Sequence, residues 1–188
     1  MAKILFFDVE TTGLDDQKHG IHQLSGLLEI DGVIVESFDF KIKPPSHLII
    51  DPLALKVSNV TIDQILNYDI ESKVYAEFIT MLSRHIDKFN PKDKAFLCGF
   101  NNAAFDNDFL RALFLRCNDK YFGSWFWSNS LDVMVLATNY LIESRTSLVD
   151  FKLKTVATHL LGSTDDSKLH NASYDIELTR NIFQIVNH

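Results

Sequence analysis

Two rhythms of hydrophobic positions run along the chain. Short unbroken apolar runs, Ile4-Leu5-Phe6-Phe7 near the start and residues 95–99 in the middle, read as buried strands. Residues 23–30 and 33–42 read as a strand pair. Asp31-Gly32 between them is a tight hairpin turn, because both positions tolerate positive φ. Pro44-Pro45 ends the second strand, and Trp125-Phe126-Trp127 reads as a brief further strand. The other rhythm is helical. Val74, Phe78, Met81, Leu82, Ile86 and Phe89 recur at helical spacing, which predicts a helix over 72–89 closed by Asn90-Pro91. Further helices are predicted over 103–117, 131–142, 149–161 (capped by Gly162) and 172–186. The stretch 46–68 is irregular, except for a short helix opened by Thr61 with Gln64 as its partner three residues on. A hairpin beside a strand–helix–strand unit gives a mixed sheet with helices on its faces, in one domain spanning 1–188.

Composition fits a domain with its own core: 46 % of residues are hydrophobic and 23 % charged. No apolar run reaches the roughly 18 residues needed to span a bilayer. Asp8 cuts the first run too early for a secretory leader, so the expected location is the cytosol, with no membrane partner. Cys98 and Cys117 lie in apolar surroundings outside any C-x-x-C pair and are read as small hydrophobes. A formal charge of −7 argues against a broad duplex-binding surface. It is compatible with an enzyme that holds a few nucleotides of a strand end and whose acids are themselves metal ligands.

Asp8 and Glu10 are two apart at the end of an apolar strand, so both carboxylates point the same way. Two other Asp-x-Glu triplets, Asp69–Glu71 and Asp175–Glu177, are present. The first triplet differs from the Asp69 one in following a buried run, where uncompensated carboxylates are costly and a cation would relieve them. Asp106 and Asp108 open a helix, a position that also suits acids through the helix dipole, and only one of the two can face a cleft. Asp175 falls in the first turns of the last helix, and His170, in the loop before it, is free to hang over the same cleft. In sheets of this kind ligands gather at the carboxyl ends of the parallel strands. Asp8 and Asp106 both fall there if the 4–7 and 95–99 strands are neighbours.

Three segments together resemble, in order, the exonuclease motifs of the DEDDh 3′→5′ exonuclease family. They are Phe7-Asp8-Val9-Glu10-Thr11-Thr12-Gly13-Leu14, Asn102-Ala103-Ala104-Phe105-Asp106 and His170-Asn171-Ala172-Ser173-Tyr174-Asp175. Residues 151–162 resemble the helix that precedes the third motif, so the resemblance covers nearly the whole chain. It implies a ribonuclease H-like α/β fold with a mixed five-stranded sheet flanked by helices. It also implies Asp8, Glu10, Asp106 and Asp175 as ligands of two Mg²⁺ (or Mn²⁺), with His170 as general base. Asp106 carries over in place of Asp108 because it follows the Asn-x-x-Phe pattern. Asn171 stands where the tyrosine-type sister group has its Tyr, and Tyr174 is at the wrong spacing. The first motif is more similar to bacterial polymerase proofreading subunits than to oligoribonucleases. Gly99-Phe100-Asn101 departs from members that carry a His before the Asn, with an expected effect on shape and not on chemistry.

The implied activity is hydrolysis of single-stranded DNA from its 3′ end, releasing nucleoside 5′-monophosphates, with a polymerase as possible docking partner. An exoribonuclease or oligoribonuclease-like enzyme is the alternative, and a catalytically silent interaction domain is the third reading. Thr12, Gly13, Leu14, Asn102 and Phe105 are the expected substrate-binding positions. Thr12 would meet the terminal nucleotide through its N–H or hydroxyl, Leu14 would wedge against the last bases, and Phe105 would stack on a base or fill the core.

Overall fold

The computed structural model describes residues 1–165 and 172–187. In chain order the elements are β1 (Lys3–Thr11), β2 (Ile21–Ile30), β3 (Val33–Lys43), α1 (Pro52–Val57), α2 (Ile62–Leu66), β4 (Asp69–Ile70) and α3 (Glu71–Ser83). They continue with β5 (Phe96–Gly99), α4 (Asp106–Arg116), α5 (Phe122–Trp125), β6 (Leu131–Asp132), α6 (Val133–Tyr140), α7 (Leu153–Leu161) and α8 (Ala172–Val186). One mixed sheet runs in the order β4-β3-β2-β1-β5-β6. β1, β2 and β3 are antiparallel neighbours, and β5 joins β1 in parallel.

The turn between β2 and β3 falls on Asp31 and Gly32, both with positive φ (49° and 85°). Gly162 closes α7 in the left-handed region, and the capping box of Thr61 and Gln64 opens α2. The sheet has six strands, not the expected five. The additions are β4 and β6, two residues each and too short to carry any hydrophobic period. Trp125-Phe126-Trp127 is not a strand: Trp125 ends a helical turn, and Phe126 makes a single bridge to Ala95. The helix expected to reach Phe89 stops at Ser83. The N–H groups of His85 and Ile86 turn back to the Leu82 carbonyl, which keeps Ile86 in the core while Phe89 is exposed. α1 lies inside the stretch read as irregular. Asp51 caps it by accepting the Leu53 N–H (2.8 Å), and Pro52 occupies its first position.

The alternation along β1 divides the core. Leu5, Phe7 and Val9 pack on one side among residues of α3 and α4, while Ile4 and Phe6 face the other side with residues of α6, α7 and α8. Both cysteines are free, Cys98 buried and Cys117 half-buried. Among the described residues no helix is long and apolar enough to cross a membrane.

Candidate active site

β1 runs on to Thr11, so Asp8 and Glu10 lie within the strand, not beyond its end. They extend the row of Ile4 and Phe6, on the face against which α8 packs. The parallel pairing with β5 reaches only to Phe6 and Cys98. There the chain turns away at Gly99, where a Cβ would stand 3.0 Å from the Phe7 carbonyl and 2.7 Å from the Asn102 Cβ. Beyond that point β5 offers the Val9 N–H no partner, and the Asp106 carboxylate accepts it at 3.0 Å. This bond ties the first turn of α4 to the acidic half of β1. A register shift between Glu10 and Thr11 re-aims the strand just past the acids.

Three elements thereby bring four acids into one electrostatic field. The Asp8 carboxyl is pushed well above the usual carboxylate range, first by burial and then by the charges of Asp106, Glu10 and Asp175. Asp106 is pushed up to about 7. Burial raises it, the Val9 and its own backbone N–H groups pull the other way, and the charges of Glu10 and Asp132 add to the rise. Among the described residues no three His, Cys, Asp or Glu side chains are already drawn together at ligating distance. Asp106 faces the Val9 N–H. A donor set made only of carboxylate oxygens suits a hard divalent cation such as Mg²⁺ or Mn²⁺. The crowding at Asp8 is what such a cation would relieve. His170, the base expected from the sequence, lies outside the described residues.

The rim residues divide into props and exposed groups. Thr12 is fully buried, and all its polar groups have protein partners. Its N–H donates to Gly20 O and its hydroxyl to Ile49 O (both 2.8 Å). The hydroxyl oxygen accepts the Gly20 N–H, and the carbonyl accepts the Asp51 N–H. Thr12 thus pins the loop after β1 and does not present a donor to the cleft, contrary to expectation. Gly13 is also a packing position, since a Cβ there would overlap the His19 ring at 2.1 Å. Asn102 is buried, donating to Ser130 Oγ (2.7 Å) and Asn107 Oδ1 (3.2 Å). Phe105 is half-buried, its ring 4.9 Å from that of Phe109. Leu14, at 84 % exposure, is the rim residue that leaves apolar surface open to a ligand.

Two contributors escaped the sequence reading. Asp132 caps α6 through Met134 N–H (3.0 Å) and also accepts the N–H groups of Asn101 (3.1 Å) and Ala103 (3.3 Å), which holds the turn leading to Asp106. An acid just ahead of an apolar helical run is a capping signature, so Asp132 was within reach of the sequence. Asp132→Ala is expected to cost about 2 kcal/mol in urea unfolding and to lower turnover by loosening Asp106. Unchanged values for both would remove this role. The second contributor is Ser58, which donates to Glu10 Oε2 at 2.6 Å. No sequence pattern announces it, because tertiary packing alone creates the contact.

Residues 5–183 match the RNase T exonuclease family. The chain is 30 % identical over 179 residues to the PolC-type DNA polymerase III of Mycoplasmopsis pulmonis, covering 94 % of this chain and 11 % of the polymerase. It is 25 % identical over 190 residues to ribonuclease T of Histophilus somni, covering 98 % and 83 %. Exonuclease I of E. coli, in a crystal structure with a dT13 oligonucleotide, has the same fold. The TM-score is 0.79 at 20 % identity, across 100 % of this chain and 41 % of that one. The chain thus spans about a tenth of the polymerase and two fifths of exonuclease I.

Proposed function

The chain belongs to the exonuclease family of 3′→5′ nucleases, and from that premise we propose that it removes nucleotides from the 3′ end of single-stranded DNA by metal-assisted hydrolysis. The observation that carries this reading is the shared field of Asp8, Glu10, Asp106 and Asp175 at one end of β1. These four carboxylates would hold two Mg²⁺ or Mn²⁺ ions. Bound there, the ions supply charge neutralisation at the scissile phosphate and a more acidic water. His170 accepts the proton of the attacking water, a role an imidazole can fill near neutral pH. Leu14 lies against the terminal bases, and the exposure of its side chain supports that role.

Likeness to exonuclease I bound to dT13 supports DNA as the polymer, and likeness to a segment of PolC supports association with a polymerase. A ribonuclease is the second reading, favoured by the similarity to ribonuclease T. A time course on 5′-labelled single-stranded DNA and RNA, with Mg²⁺, Mn²⁺ or chelator, decides between them. The expected result is a descending ladder from the 3′ end of DNA that chelator abolishes. A ladder on RNA alone transfers the activity to RNA, and cleavage that survives chelator overturns the mechanism.

A further inference from the structure

Ser58 follows the last turn of α1, where its backbone N–H bonds to Ala54 O (3.3 Å). Its hydroxyl reaches across to β1 and meets Glu10 Oε2 at 2.6 Å. The Ser58 hydroxyl oxygen also lies 3.2 Å from Nε2 of His22, a fully buried residue of β2. A hydroxyl has one proton. Ser58 donates that proton to Glu10 Oε2, so His22 must donate through Nε2–H. This assigns the tautomer and leaves Nδ1 bare. Among the described residues Nδ1 has no hydrogen-bond partner. That is tolerable for an acceptor and more costly for an N–H. Burial, with the charge of Lys41 adding to it, lowers the imidazole to about 4, so the ring is neutral at working pH.

The result is a one-way chain of dipoles from β2 through the end of α1 to β1, ending on a carboxylate assigned to metal binding. Its sign matters. A lysine or arginine in the same place would also orient Glu10, but it would offset the negative charge that attracts a cation. Ser58, itself held by His22, orients the carboxylate without bringing a positive charge of its own.

We propose that Ser58 and His22 are positioning residues that hold the Glu10 carboxylate in the orientation in which it binds a divalent cation. This rests on the metal-dependent reading given above. Neither residue touches substrate in this role; both act through Glu10.

The test is Mn²⁺ titration of the full chain by calorimetry, without substrate, followed by kinetics on a 5′-labelled oligonucleotide. Ser58→Ala is expected to raise the Mn²⁺ concentration for half-saturation by about 10-fold and to lower kcat while leaving KM for the oligonucleotide in place. Ser58→Thr, which keeps the hydroxyl, recovers most of both. His22→Leu shifts Mn²⁺ binding in the same direction as Ser58→Ala. If it does not fold, the Ala and Thr variants at position 58 carry the test alone. Wild-type Mn²⁺ binding in Ser58→Ala, or equal impairment of the Ala and Thr variants, overturns the proposal and leaves the nuclease reading standing. A wild-type chain that binds no Mn²⁺ takes both down.

Discussion

Asp8→Asn is expected to abolish hydrolysis and, in the same variant, to raise the melting temperature of the metal-free protein. These opposite effects have one origin. In the folded chain the Asp8 carboxyl is raised well above 3.8 by burial and by three neighbouring acids, whereas in the unfolded chain it titrates normally. A group raised on folding contributes stability that is complete below its unfolded pKa and is lost as pH rises through its folded value. Asp106, at about 7, adds to the same trend. The metal-free wild type should therefore lose stability as pH rises from about 4 through about 7, and the variant should lose less. Mn²⁺ should restore the wild type by binding only its folded form and should do little for Asp8→Asn. Loss of a ligand that acts on the charge of the transition state is worth several kcal/mol, or about 10³-fold or more in turnover. Melting curves with and without Mn²⁺, together with turnover on labelled DNA, check both halves. A folded variant within tenfold of wild-type turnover would remove Asp8 from the metal site.

His170→Ala is expected to lower kcat by roughly 10²–10⁴-fold, the usual contribution of a general base, with Mn²⁺ binding retained. The two measurements separate two possible roles. A base can be removed without disturbing the carboxylates, whereas a ligand cannot. Mn²⁺ affinity that falls with kcat would place His170 among the ligands. The pH profile supplies a further check: the acidic limb of kcat, set by protonation of an imidazole, should disappear in the variant.

What could be read from the sequence followed from what is local. Asp31-Gly32 demands positive φ and forms the turn it predicts; Gly162 ends α7 for the same reason. The last helix was placed at its observed limits, since a long amphipathic pattern leaves little choice. Asp8 and Glu10 stand out in the sequence because carboxylates next to a buried apolar run need a reason to be there, whereas Asp106 and Asp175 stand out only through the motif resemblance. The missing parts depend on partners distant in sequence. β4 and β6 are strands only because β3 and β5 pass beside them. Ile86 belongs to the core without belonging to a helix. Ser58 and His22, 36 residues apart, meet only once α1 docks beside β1 and β2. Thr12 was assigned to the substrate on its motif, yet its surroundings require all its polar groups for the loop. A motif identifies which residues matter and leaves open whether they act on the ligand or on the scaffold.

The parity of β1 ties assembly to activity. Displacing this strand by one position against β2 would turn Phe6 away from α8 and send Asp8 and Glu10 into the apolar layer beneath α3 and α4. A mispaired chain would thus be penalised twice, by exposed aromatic surface and by charge trapped in hydrocarbon. During refolding, recovery of nuclease activity should accordingly keep step with closure of the central strands, and no long-lived, well-folded but inactive isomer should accumulate.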